Sequence, residues 1–268
     1  SVPNAPTITN IIPGDGQVDV TFNAPYDDGG STITSYTVTS NPGSITITIS
    51  QAGGGIITVG GLTNGTSYTF TVTATNGVGT SAPSAVSNAV SPSAPPQVGD
   101  YFDGGIVFYV APTPTDLDGD GNVDSGLVCS GSIGAANWGF YGNVVGTGIN
   151  FGDGAQNTSN IVNYAFNNSS VPTAAEICDN LYLNGFNDWF LPSINELGKI
   201  YQNKDAINNA AVTNGLNSLG NGFYWSSSES QYYPSSTAYV IKFDGTGAAG
   251  TINKVGTTMY GITAIRAF

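Results

Sequence analysis

The sequence predicts a two-domain protein: an antiparallel β-sandwich over residues 1–95, then a domain over 96–268 that mixes strands with helices. Three observations carry this. The first region alternates Thr with Val, Ile, Phe or Tyr at period two. Clusters of Gly, Asn, Asp and Pro punctuate that alternation every few residues. Past the proline-rich linker "SPSAPPQVGD" (91–100), continuous apolar runs and helix-start signals replace it.

In the first region the strands are "QVDVTF" (17–22), "TSYTVTS" (34–40), "SITITIS" (44–50) and "SYTFTVTAT" (67–75), separated by "PGDG", "DDGG", "NPG", "AGGG" and "TNGT". Several short alternating strands at this spacing argue for two packed sheets. Thr on the outer face is what a good strand residue does, so an ice-binding array is not needed to explain it. The specific mark is "LTNGTSY" (62–68) running into "TFTVTATNGVGTSAPS". This stretch resembles a fibronectin type III domain, an immunoglobulin-like all-β sandwich. Leu62 and Tyr68 match its tyrosine corner, Tyr36 matches the aromatic of its third strand, and Phe22 stands where many members carry Trp. The resemblance implies a spacer or interaction module, and no loop carries an Arg-Gly-Asp tripeptide.

In the second region "GGIVFYV" (104–110) reads as a fully buried strand, and "GLVCS" (126–130) can pair with it as a hairpin whose tip is an acidic loop. "PTAAEICDNL" (172–181) has helical spacing with a start signal. "LPSINELGKIYQNK" (191–204) repeats it, with Ser193 and Glu196 spaced as a capping box and Leu197, Ile200 and Tyr201 as the apolar stripe. Short strands follow. The segments "GGIVFYV", "GLV", "CDNLYLNGFNDWFLPSINEL", "YWSSSES" and "AIRAF" together resemble the C-terminal domain of collagen-like bacterial adhesins, from about Gly99 to Phe268. That resemblance implies an α+β, C-type-lectin-like module, secreted or borne on a cell surface, that binds glycans or cell-surface polymers and can be trimeric. The acidic insert is longer than the turn expected there. The domain's only basic residues are Lys199, Lys204, Lys242, Lys254 and Arg266, too few for a sulfated ligand.

Composition narrows the function. Lys plus Arg total 5 against 18 Asp plus Glu, a net charge of −13, which repels nucleic acid and anionic membranes. There is no histidine, hence none of the commonest general base or metal ligand. No apolar run is long enough to span a bilayer. Cys129 and Cys178 are either one bridge joining strand to helix or two buried thiols.

Two constellations carry chemistry. "TDLDGDGNVDSG" (115–126) places Asp116, Asp118, Asp120, Asn122 and Asp124 at alternate positions of a calcium loop, with Gly121 at the sharp turn. Position 12, where an EF-hand has a bidentate Glu, is Leu127, and no helices flank the loop. A structural Ca2+ ordering the hairpin tip is therefore expected, not a sensor. "FYWSSSESQYYPSS" (223–236) with Tyr260 offers flat rings and hydrogen-bonding groups suited to sugars. Glu229, Tyr232, Tyr233 and Tyr260 are the expected ligand-binding residues, with Trp138 and Tyr141 in support. In "NDWFLP" (187–192) Trp189 reads as core rather than as part of a sugar-binding triplet. The expected function is a non-enzymatic extracellular adhesin, a lectin-like head on a spacer. The alternative is a structural subunit of a fibre, sheath or phage appendage, with homo-oligomeric assembly. A glycosidase would need two facing carboxylates, and two of the three glutamates (Glu176, Glu196) fall on predicted helices.

Overall fold

Period-two alternation becomes paired strands in the computed structural model, which describes residues 1–168, 171–254 and 259–268. The chain divides into two compact units, Ser1–Pro95 and Pro96–Phe268.

The first unit has six strands: β1 (Thr7–Gly14), β2 (Gln17–Asn23), β3 (Ile33–Asn41), β4 (Thr46–Ile49), β5 (Gly55–Gly60) and β6 (Thr69–Asn76). They form two antiparallel sheets, ordered β1-β2-β5 and β4-β3-β6. Inward residues of both sheets make one core, including Val18, Val20, Phe22, Tyr36, Val38, Ile57 and Val72. Phe22 fills the place where Trp is common, its ring 4.6 Å from that of Tyr36. Outward residues are neutral hydroxyls in register, with Thr37 opposite Thr48 and Thr73, and Thr39 opposite Thr46 and Thr71. The Tyr68 hydroxyl accepts the Thr63 N–H at 3.1 Å, so the tyrosine corner is formed.

After β6 the chain pairs in an unpredicted way. Ser81, Ser84 and Ser87 donate their N–H groups to the carbonyls of Ala74, Val72 and Phe70. Their hydroxyls accept the N–H groups of the same three residues at 2.9–3.0 Å. A three-residue period is that of a polyproline-like chain, and here serine side chains complete the ladder that a strand would have supplied from its backbone.

The second unit contains β7 (Tyr101–Phe102), β8 (Gly105–Thr115), β9 (Asp124–Cys129), β10 (Gly134–Ala136), α1 (Gly154–Asn168), α2 (Ala174–Asp179), α3 (Ile194–Gln202), α4 (Lys204–Thr213), β11 (Phe223–Glu229), β12 (Thr237–Lys242), β13 (Ala249–Asn253), β14 (Tyr260–Ile262) and β15 (Ile265–Ala267). One sheet runs β10-β14-β11-β12-β13 and a second β15-β9-β8-β7. The expected hairpin is β8–β9, with the acidic loop at its tip. The capping boxes Thr173/Glu176 and Ser193/Glu196 start α2 and α3. The helices α1 and α4 were not predicted. Asn recurs through both and their apolar stripes are thin, with Ile207 and Ala211 alone buried on α4, so neither propensity nor periodicity announces them. Cys129 and Cys178 are free buried thiols, not a bridge, and they belong to different apolar clusters. Burial pushes the Cys129 thiol up to about 12 and raises that of Cys178 as well, which leaves both unreactive.

Glu196 does more than cap its own helix. It is wholly buried and accepts the Ser193 N–H at 2.7 Å and the Gly152 N–H at 2.8 Å, tying α3 to the approach of α1. A Cβ at Gly154, the first residue of α1, would collide with its carboxylate. Burial raises Glu196 from the ordinary 4.5 to about 7, against the pull of these N–H donors. The folded state therefore favours the protonated acid, and this contribution to stability is full below the unfolded value and lost as pH rises through about 7. Melting curves of the wild type and Glu196→Gln at about pH 5 and about pH 8 test this. The wild type should lose more melting temperature between the two than the variant does; an equal loss in both would contradict it.

Candidate functional site

The strand β11 carries three consecutive serines and then Glu229, all buried. Buried polar groups need partners, and these find theirs on other chain segments. Ser226 Oγ donates to the Tyr239 carbonyl at 2.9 Å, Ser227 Oγ accepts from Asn157, and Ser228 Oγ donates to the Gly148 carbonyl at 2.7 Å. The Glu229 carboxylate accepts the N–H groups of Val145 and Gly146, each at 2.8 Å, and pairs with the Lys254 ammonium. Thr147 Oγ1 in turn accepts the Glu229 N–H at 2.6 Å. Lys254 Nζ also donates to the Asn143 carbonyl at 3.0 Å and lies 4.5 Å from the centre of the Trp138 ring. Burial pulls the Lys254 amine below its ordinary value, and Glu229 opposes that pull.

This arrangement corrects two expectations. Glu229 and Trp138 were expected to face a ligand, but Trp138 is fully buried and Glu229 is 3% exposed. An ion pair formed in the interior leaves neither group available to solvent. The loop carrying Trp138, unplaced by any sequence pattern, folds over β11 and closes above both. Tyr260 is half-buried, edge-on to Trp225 and Phe223 at 5.1 and 5.5 Å. Tyr141, Tyr232 and Tyr233 are exposed at 56%, 83% and 67%. The Gly142 N–H donates to the Ser235 carbonyl at 2.7 Å, so the loop of Tyr141 runs beside the loop of Tyr232 and Tyr233. The two tyrosine-bearing loops thus form one rim over the buried pair.

At the β8–β9 tip, oxygens of Asp116, Asp118 and Asp120 lie within 4.8 Å of one another. Asp116 accepts the Gly119 and Gly121 N–H groups, and Gly121 takes φ +90°, which a turn of this kind asks of glycine. Asp124 faces inward, accepting the Leu117 N–H at 2.7 Å, and Asn122 donates its amide to Asp120 at 2.8 Å. Among the carboxylates Asp116, Asp118 and Asp120 converge, while Asp124 is turned to the Leu117 N–H and Asn122 to Asp120. Burial, then the neighbouring carboxylates, raise Asp118 and Asp124, whereas the Asn122 N–H lowers Asp120. Oxygen donors at this spacing suit a hard cation such as calcium.

Each unit matches a known family over part or most of its length. Residues 2–90 match the fibronectin type III domain and residues 147–264 match the Lcl C-terminal domain. The chain carries a fibronectin type III domain followed by an Lcl C-terminal domain. Both are domains of non-enzymatic kinds, and the pairing is that of an adhesin-like or surface protein. No curated protein matches the chain. Among solved structures, it is similar to the twitchin kinase region from C. elegans, at 28% identity over 35% of this chain and 17% of that one, TM-score 0.29. It is also similar to titin kinase with its flanking domains, at 33% identity over 34% and 17%, TM-score 0.30. A third similarity is to titin domains A168–A170, at 32% identity over 35% and 33%, TM-score 0.30. The chain thus spans a third or less of each of these structures.

Within the Lcl C-terminal domain, "NDW" is structural. Trp189 is 2% exposed in the core, and Asp188 holds Arg266 through two bonds of 2.8 and 2.9 Å. The Glu229–Lys254 pair gives the sharpest prediction for this domain. Glu229→Ala strands a buried ammonium and should cost about 3–5 kcal/mol, whereas Glu229→Gln with Lys254→Met, which removes both charges and keeps an amide oxygen facing the Val145 and Gly146 N–H groups, should recover most of it. Denaturant titration of the two variants measures this; equal losses in both would remove the pair from the account.

Proposed function

We propose that the protein is an extracellular adhesin, whose fibronectin type III domain serves as a spacer and whose Lcl C-terminal domain binds glycans or cell-surface polymers without transforming them. The observation that carries this reading is the rim: three exposed tyrosines on two adjoining loops held by a buried polar network. A tyrosine side chain has few rotamers to lose, an apolar face for the C–H surface of a sugar ring, and a hydroxyl for its oxygens. Loops anchored from beneath lose little further entropy when a ligand docks.

The acidic hairpin tip has a separate role in this proposal. Asp116, Asp118 and Asp120 hold a calcium ion that neutralises their mutual repulsion and orders the loop, remote in sequence from the tyrosines.

Alanine at Tyr141, Tyr232 and Tyr233 together should abolish retention on a glycan-coated or cell surface while the melting curve stays in place. Undiminished retention would move the site elsewhere. Calcium should raise the melting temperature of the wild type, a chelator should reverse the rise, and Asp118→Asn with Asp120→Asn should remove the response. A wild type indifferent to calcium would leave the tip as a metal-free acidic turn.

A further inference from the structure

Resting on the glycan-binding reading above, we infer that the rim takes an uncharged glycan and turns away sulfated and carboxylated ones. The chain has five cationic side chains, and four are committed elsewhere in the fold. Lys254 is buried against Glu229. Arg266 is buried, clamped by Asp188 and donating to the Asp103 carbonyl at 2.9 Å. Lys242 pairs with Asp244 at 2.6 Å. Lys204 donates to Asn221 at 2.6 Å and to the Phe243 carbonyl at 2.7 Å. The fifth, Lys199, is exposed on α3 and is a single charge.

Recognition of a polyanion takes several cations in one place, because each neutralising contact displaces counterions and adds affinity. Among the described residues nothing of that sort lies at the rim, whose exposed side chains are Tyr141, Asn143, Val144, Gln231, Tyr232 and Tyr233, all uncharged. The surrounding field has the wrong sign as well. The net charge is −13, and one open cleft of ≈ 300 Å³ in the same domain carries Asp179 and Asp188 besides the carboxylates assigned to calcium. A sulfate or uronate approaching the rim would meet repulsion with no local compensation, whereas a neutral sugar would meet rings and amides that cost little to desolvate.

The test passes the full chain over immobilised neutral polysaccharides (β-glucan, galactan, chitin) and polyanionic ones (heparin, alginate), each with calcium and with a chelator. The expected result is retention on at least one neutral polymer, lost in Tyr232→Ala with Tyr233→Ala and kept in Lys199→Glu. That retention should change by less than about twofold between about 0.05 and 0.5 M salt, as uncharged contacts are not screened. Retention on heparin or alginate that salt elutes would overturn the inference while leaving the glycan reading intact, and so would loss of neutral-polymer binding in Lys199→Glu. Retention on none of the five polymers would sink the glycan reading itself and the inference with it.

Discussion

A single buried ion pair organises the exposed surface of the C-terminal domain. Glu229 and Lys254 sit 3% and 0% exposed, where an unpaired charge would cost several kcal/mol. Each is therefore obliged to find partners, and the partners come from afar: the N–H groups of Val145 and Gly146, the Asn143 carbonyl and the Trp138 ring. The obligation runs both ways. Residues 143–148 have no regular backbone ladder of their own, so their polar groups turn to Glu229 of β11, to Lys254 just past β13 and to Asn160 of α1. Ser228 and Asn157 finish the work by holding both polar groups of Gly148. The exposed tyrosines above stand on loops that the interior has already fixed.

Neutral polar groups do elsewhere in the molecule what charges do in most proteins. Only 9% of residues are charged, and the polar work, at the surface and in the interior alike, falls to hydroxyls and amides. In the fibronectin type III domain these are the registered threonines of the β4-β3-β6 sheet and the three serines that replace a strand's backbone with their side chains. In the Lcl C-terminal domain they are the buried serines of β11. Four of the five cations are held by partners within the fold, which leaves an acidic surface and an uncharged rim.

Much of this was legible in the sequence wherever the signal was local. Alternation marked the strands, Leu62 and Tyr68 marked the tyrosine corner, and the three-residue spacings Thr173/Glu176 and Ser193/Glu196 marked two helix starts. The hairpin and its acidic tip followed from apolar runs either side of a turn. What could not be read depends on distance. Glu229 meets Lys254 from 25 residues away and Val145 from 84, so composition cannot distinguish a rim carboxylate from a buried one. The same holds for Trp138, whose ring looks equally fit for a sugar or for a core. The helices α1 and α4 are held by tertiary contacts, Asn157 and Thr158 of α1 and Asn208 of α4 bonding to neighbouring segments, and not by propensity. The serine period of three was visible in "SAPSAVS" and was simply not a period that strand or helix rules look for.

Amide hydrogen exchange on the intact chain tests the central claim most directly. If the buried pair fixes the loop beneath the rim, the N–H groups of Val145 and Gly146 should exchange as slowly as those within β11, since both require the domain to open. Exchange at the pace of an unstructured peptide would contradict it and leave the tyrosines on an unanchored loop.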